Sequence, residues 1–296
     1  MYRLLVVDFL NVAYRAYHGG QREHGPCSVS FPEGEPIWVT HGILRLVHDL
    51  ARTYGVSHVA FALDADGPTF RDDLFPAYKA ARPGRPPELN LQLARAQEAI
   101  ERLGYAVFMA SGFEADDVIA TLARQSRGHF SEVLIVTGDR DMYALVDERV
   151  NVLDISQGLH RLERVTPSAV VARYGLPACR LVELKALIGD TSDGYPGVPG
   201  LHESDARSLL VAYPSLAALL PQLPALAAEK NPVARRILAD LPAVCLRYKL
   251  ANLRADVPIN LDPRAGALER RPSDSSINYL TRIGLASLIR GLPHSI

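Results

Sequence analysis

Cysteine, methionine and tryptophan are scarce in this 296-residue chain, at three, three and one. Cys27, Cys179 and Cys245 form no Cys-x-x-Cys pair, so a disulfide framework is not expected and a reducing, cytoplasmic setting is. No apolar run reaches the length of a membrane span. The N-terminus has no basic region leading into an apolar segment, and Asp8 interrupts the first apolar run, so no secretory signal is expected. No glycine fingerprint follows that run, which argues against a dinucleotide-binding turn. A Walker loop, a Ser-His-Asp order and a His-Glu-x-x-His stretch are missing too.

Hydrophobic residues make up 48% of the chain, enough for an ordinary core in one large α/β domain or two smaller ones. Residues 3–8 form a short apolar run ending in Asp8, and residues 58–63 form another ending at Asp64. Residues 106–109, 132–137 and 151–154 read as further strands. Such runs suit strands buried on both faces of a parallel sheet. Helices are predicted over residues 40–54 and 89–103, and residues 18–36, rich in Gly, Pro, His and Ser, read as a loop. From Thr166 onward the texture turns helical, broken by Pro and Gly. The expectation is an α/β fold with a mostly parallel central sheet flanked by helices over residues 1–165, and a helical part over residues 166–296.

Ligands on such sheets gather at the carboxyl ends of the strands, where Asp8, Asp64 and Asp139 fall. Glu114, Asp116 and Asp117 crowd the start of a helix, with Ser111 and Glu114 at capping-box spacing. Acidic helix starts are common, and each carboxylate has a local explanation of its own. Their recurrence after apolar strands is simpler as one set: Asp8, Asp64, Glu114, Asp116, Asp117, Asp139, Asp141, Asp190 and Asp193 converging on one cleft. That many carboxylates need counter-charge. Oxygen ligands without a His or Cys cluster favour a hard cation, Mg²⁺ or Mn²⁺, and two such ions could bracket an in-line phosphoryl displacement. The net charge of -1 does not oppose a nucleic-acid substrate, because with nine of the 33 acids set aside, 24 remain against 32 Lys and Arg.

Seven blocks now stand in a familiar order: Asp8-Phe9-Leu10-Asn11, Phe61-Ala62-Leu63-Asp64, Phe70-Arg71, Tyr78-Lys79-Ala80-Ala81-Arg82-Pro83, Glu114-Ala115-Asp116-Asp117, Thr137-Gly138-Asp139-Arg140-Asp141 and Gly189-Asp190-Thr191-Ser192-Asp193. They resemble the 5′-nuclease family of flap endonucleases, phage 5′-exonucleases and the N-terminal 5′–3′ exonuclease domain of bacterial DNA polymerase I. The resemblance covers nearly the whole chain, and residues 279–288 are similar to the last helix of that domain. It implies a PIN-like fold with a helix–three-turn–helix clamp, and a two-metal hydrolase cutting DNA near a 5′ flap, nick or free 5′ end. Asp8, Asp64, Glu114, Asp116 and Asp117 would serve mainly the first metal, and Asp139, Asp141, Asp190 and Asp193 the second. Lys79 and Arg82 would stand beside the scissile phosphate as the catalytic basic pair, Tyr78 would stack on a base or else pack, and Arg71 would contact phosphate or hold its segment in place. Residues 68–90 would form an arch for the single-stranded end. The chain would be a stand-alone monomer, with a separate polymerase or ligase as a candidate partner.

One block departs from the family. The clamp's usual Gly-Val-x-Gly-Ile-Gly-x-Lys-Thr-Ala here runs from Gly197 and Gly200 through His202 and Ser204 to Asp205-Ala206. Losing a glycine and a lysine puts duplex affinity, and the family's potassium site there, in question. Weaker and more salt-sensitive duplex binding is expected. The alternatives are a DNA-binding protein that has lost cleavage and an RNA-directed nuclease.

Overall fold

The computed structural model describes residues 2–24, 36–268 and 273–289. Six strands, β1 (Arg3–Asp8), β2 (His58–Ala62), β3 (Ala106–Phe108), β4 (Glu132–Thr137), β5 (Val150–Asp154) and β6 (Glu163–Val165), form one sheet in the order β3-β2-β1-β4-β5-β6. β1 to β5 pair in parallel, and β6 closes one edge antiparallel to β5. The mostly parallel sheet flanked by helices is the fold class the strand pattern predicts. The three-residue β6 lies outside that reading, because two of its residues are exposed and offer no apolar signal.

Alternation along each strand explains why the runs are apolar throughout. Leu5, Val7, Val59, Phe61, Leu134, Val136 and Leu153 face one way, onto α1 (Phe9–His24), α2 (Trp38–Tyr54) and α4 (Pro87–Arg102). Leu4, Val6, Ala60, Ala62, Val133, Ile135, Val150 and Val152 face the other way, onto α5 (Ala115–Gln125). Between α2 and α4 lies α3 (Phe70–Leu74). Each buried Val or Leu contributes on the order of 1.5–3 kcal/mol, so both faces drive the same register. Residues 18–24 continue α1 and are not loop; Ala13, Ala16 and Tyr17 bury its inner face, and its two glycines do not end it. The remaining predicted loop residues, 25–35, lie outside the described residues, as does Cys27.

Beyond β6 the chain is helical: α6 (Pro167–Tyr174), α7 (Leu181–Ile188), α8 (Glu203–Ala212), α9 (Leu216–Leu219), α10 (Leu223–Ala228), α11 (Pro232–Ala239), α12 (Leu241–Ala251), α13 (Asp274–Arg282) and α14 (Ala286–Ile289). Leu184, Leu187, Val198, Leu210, Leu219, Ile237 and Val244 form a separate core among these helices. A two-stranded hairpin, β7 (Gly189–Asp190) and β8 (Tyr195–Pro196), joins α7 to the segment before α8. Gly189 and Gly197 let its backbones touch: a Cβ on Gly189 would stand 2.2 Å from the Gly197 nitrogen. Among the described residues no single helix is long and apolar enough to cross a membrane.

In this strand order the connections leave β1 in opposite directions, so a crevice opens between the carboxyl ends of β1 and β4.

Candidate metal centre

β1 delivers Asp8 into that crevice, and β4 delivers Thr137, Gly138 and Asp139 beside it. The buried Asp8 carboxylate accepts from Thr137 Oγ1 at 2.6 Å and from the Asn11 backbone N–H at 3.2 Å. Asn11 Oδ1 accepts from the Gly138 N–H at 2.8 Å, which pins the β4 loop to the start of α1. Asp64, just past β2, accepts from the Ala115 N–H at 2.8 Å, so the positive end of α5 is fixed against the β2 loop. Asp139 accepts from the Asp141 N–H at 2.9 Å.

An open cavity of about 1370 Å³ takes in Asp8, Asp64, Glu114, Asp116 and Asp139. An adjoining one of about 440 Å³ shares Asp116 and Asp139 and adds Asp141, Asp190 and Asp193. Eight of the nine expected acids therefore line one connected space, with Lys79 and Arg82 on the walls of both parts. Arg15, Arg45 and Arg161 also line the larger part, and Arg15 reaches the smaller one as well.

Two subsets differ in how their charge is met. Burial, aggravated by Asp139 and Asp64, pushes the Asp8 carboxyl up to about 7. Burial and the charges of Asp139, Asp8 and Glu114 hold Asp116 well above the usual carboxylate range. Asp141, Asp190 and Asp193 each place an oxygen within 4.8 Å of the others. Burial raises Asp141 to about 6 against the pull of Lys185. At Asp190 the effect of burial is outweighed by Lys185 and Ser192, and its carboxyl falls to about 2.

Asp117 does not join the cavity. It is fully buried, and Arg71 donates to both its oxygens, at 2.6 and 2.9 Å, while the Arg254 N–H donates at 2.8 Å. Its remaining bond is from the Glu114 N–H, so the capping pair of α5 is Glu114 with Asp117, three residues on from the expected Ser111 with Glu114. Arg71 is likewise occupied and only 2% exposed, its Nε donating to the Leu250 carbonyl. Neither side chain is free for an ion or a phosphate: Asp117 departs from the expected ligand set, and of Arg71's two expected roles the structure fits the holding of its segment. Tyr78 likewise packs: buried, its hydroxyl donates to Glu114 at 3.1 Å and to Asp193 at 3.2 Å, so its ring is not offered to a base.

Lys79 adopts a left-handed backbone (φ 53°), costly for a residue with a Cβ. Its N–H donates to the Asp193 carbonyl at 3.0 Å, and its Nζ reaches Glu114 at 2.6 Å. Arg82 reaches Asp193 at 2.7 Å. Asn11 and Thr137 stand in the sequence blocks without an assigned role, and one contributor escaped the reading altogether: Lys185, whose ammonium bonds both Asp141 and Asp190. A single lysine amid the apolar residues of α7, five before Asp190, was the available signal for the last.

The clamp residues lie apart from this space. Gly197 packs against Ile188, and Gly200 turns with Arg236 alongside. His202 caps α8 without a side-chain bond and, like Ser204, is exposed.

Residues 3–175 match the family described as "5'-3' exonuclease, N-terminal resolvase-like domain", and residues 176–275 match "5'-3' exonuclease, C-terminal SAM fold". The thermostable DNA polymerase I of Thermus filiformis is 36% identical over 272 residues, 92% of this chain and 31% of the polymerase. The chain spans about a third of the length of such curated relatives. A bacteriophage T5 D15 flap endonuclease structure, with DNA and metal ions, superposes with a TM-score of 0.69 at 16% identity, over 98% of this chain and 97% of that one. The catalytic core of Rad2 with a DNA substrate gives 0.59 at 14%, over 99% and 92%. These structural likenesses establish the fold. The chain belongs to the 5'-3' exonuclease family.

Proposed function

We propose that this chain is a metal-dependent nuclease that hydrolyses DNA phosphodiester bonds near 5′ ends, at flaps, nicks or recessed ends. The observation that carries the reading is the meeting of eight carboxylates from separate elements in one open cavity, with Lys79 and Arg82 on its wall. Family membership and the DNA-bound fold neighbours support the substrate class.

The donor set suits hard divalent ions. It is all oxygen, and the carboxyls of Asp8 and Asp116 are raised by burial and by neighbouring acidic charge, an effect that Lys79 offsets only in part at Asp116. Asp8, Asp64, Asp116 and Asp139 would hold one ion, and Asp141, Asp190 and Asp193 a second, with Mg²⁺ or Mn²⁺ the fitting species. When bound, such ions lower the pKa of a water and stabilise a leaving oxygen.

The protein's own groups account for the rest. Lys79 and Arg82 are held at the cavity edge by Glu114 and Asp193, and a phosphate arriving between the acids can draw both onto its oxygens. The strained Lys79 backbone aims that ammonium inward before substrate arrives. Arg15, Arg45 and Arg161 offer the strand's backbone a basic wall. Residues 1–165, together with Asp190 and Asp193 of the β7 hairpin, would thus carry the chemistry, and the rest of residues 166–296 the duplex grip.

Labelled 5′-flap, nicked and single-stranded DNA incubated with Mg²⁺, Mn²⁺ or EDTA tests this. Cleavage near the 5′ end with either ion and none in EDTA is expected. Equal cutting in EDTA would overturn the mechanism, and binding without cutting in any ion would leave a DNA-binding protein.

A further inference from the structure

We propose that Lys185 is a built-in counterion of the second acidic group, so that a divalent ion takes its place there by exchange and not by simple addition. The inference rests on the metal-dependent reading above.

The two acidic groups differ in one respect. Asp8, Asp64 and Asp139 are met by hydroxyl and backbone N–H donors, and among the described residues no Lys or Arg forms an ion pair with these three or with Asp116. In the second group each carboxylate already carries a cation. Lys185 Nζ bonds Asp141 and lies 2.5 Å from Asp190 Oδ2, and Arg82 lies 2.7 Å from Asp193. An ion held by Asp141, Asp190 and Asp193 would draw on two carboxylates that Lys185 already bonds, and at Asp190 the other oxygen is taken by the Ser192 N–H and hydroxyl. A buried pair cannot lose one partner cheaply, so removing Lys185 without an incoming charge is disfavoured. Substituting a dication for the ammonium leaves every carboxylate compensated.

The residue type fits exchange. Only four of the 32 basic residues are lysines, and two of those, Lys79 and Lys185, sit on these carboxylates. A guanidinium would lock bidentately onto a carboxylate, as Arg71 does on Asp117. An ammonium on a four-carbon stem can leave one set of oxygens without rebuilding the helix that carries it. Lys185 lies in the last turn of α7, directly before the β7 hairpin, with its side chain 15% exposed. The first ion should therefore add to carboxylates that no Lys or Arg among the described residues pairs with, while the second competes with a tethered charge.

The protein allows a direct test, because the exposed Lys230 and Lys249 serve as internal standards. Amine labelling followed by peptide mass spectrometry should find Lys185 shielded in EDTA. Its labelling should rise at least about fivefold at saturating Mn²⁺, once the ammonium is released, while Lys230 and Lys249 stay constant. Calorimetry supplies an independent readout. In the isosteric Lys185→Met, or in Lys185→Gln if that folds better, the weaker class of Mn²⁺ sites should tighten by at least about tenfold, a competing charge being gone, with the tighter class unmoved. Unchanged Lys185 labelling as the second ion binds, or a second class unchanged or weakened in the variants, would overturn the exchange. No Mn²⁺ binding by the parent protein would instead overturn the metal-dependent reading itself.

Discussion

The Arg71 guanidinium grips the Asp117 carboxylate from both sides, at 2.6 and 2.9 Å, with neither residue more than 2% exposed. Arg71 also reaches the Leu250 and Asn252 carbonyls, so the pair ties α3, α5 and the end of α12 together beneath the acidic cavity. Burial would lower the Arg71 pKa, but Asp117 and Glu114 outweigh it and the guanidinium is held fully charged.

This geometry makes Asp117 a matter of stability. Asp117→Asn leaves a buried guanidinium without its partner and should cost about 3–5 kcal/mol. Urea unfolding in EDTA measures it, and the divalent-ion affinity of the protein that remains folded should be little changed. A variant of normal stability that has lost an ion would return Asp117 to the ligand set.

Asp116 should behave in the opposite way. It lines both parts of the cavity, and its charge is opposed by burial, Asp139, Asp8 and Glu114. Asp116→Asn removes one of the mutually repelling charges, so the metal-free protein should melt at a higher temperature than the parent. Flap cleavage should fall by more than about 100-fold, beyond the loss typical of an outer-shell partner. A cold-sensitive or less stable metal-free variant would contradict the charge-crowding account.

The pH dependence follows from Asp8, whose folded carboxyl is raised from 3.8 to about 7. Between those values the native state binds more protons than the unfolded state, so in EDTA stability should fall as pH rises through this window. Asp190, lowered to about 2, and Asp147, also lowered, contribute stability that is lost only below the window, as pH falls beneath 3.8. Saturating Mn²⁺ should flatten or reverse the slope, because ion binding releases the Asp8 proton. Melting temperatures from pH 4.5 to 8, with EDTA and with Mn²⁺, give both slopes; a metal-free protein that gains stability toward pH 7.5 would disagree.

At the clamp, exposed Ser204 and half-buried Asp205 stand where the family has a lysine and a neutral residue. Ser204→Lys should tighten duplex binding and steepen the log–log salt dependence by roughly 1. This corrects one expectation from the sequence: a missing phosphate contact weakens binding but makes it less salt-sensitive, because fewer counterions are released. Anisotropy titrations in EDTA from 50 to 200 mM salt supply the slope, and identical slopes for variant and parent would count against a phosphate contact at this position.

The sheet was legible because β1, β2, β4 and β5 are apolar on both faces and end near acids, a pattern little else produces. β6 was hidden by its brevity and exposure. In Glu114-Ala115-Asp116-Asp117, identity and order do not say which carboxylate turns inward; successive helical residues point about 100° apart, and only the packed partner decides. Asp116 meets the cavity, and Asp117 meets Arg71, 46 positions earlier in the chain. Tyr78 had a similar ambiguity, since an aromatic beside Lys79 suits both stacking and burial; Glu114 and Asp193 settle its hydroxyl inward.

Anomalous scattering from crystals soaked in Mn²⁺ would locate the ions against the carboxylates themselves. Two peaks are predicted in the cavity, one among Asp8, Asp64, Asp116 and Asp139 and one beside Asp141, Asp190 and Asp193, with none at Asp117. An ordered cavity with no peak at saturating Mn²⁺, or a peak seated on Asp117, would contradict the account.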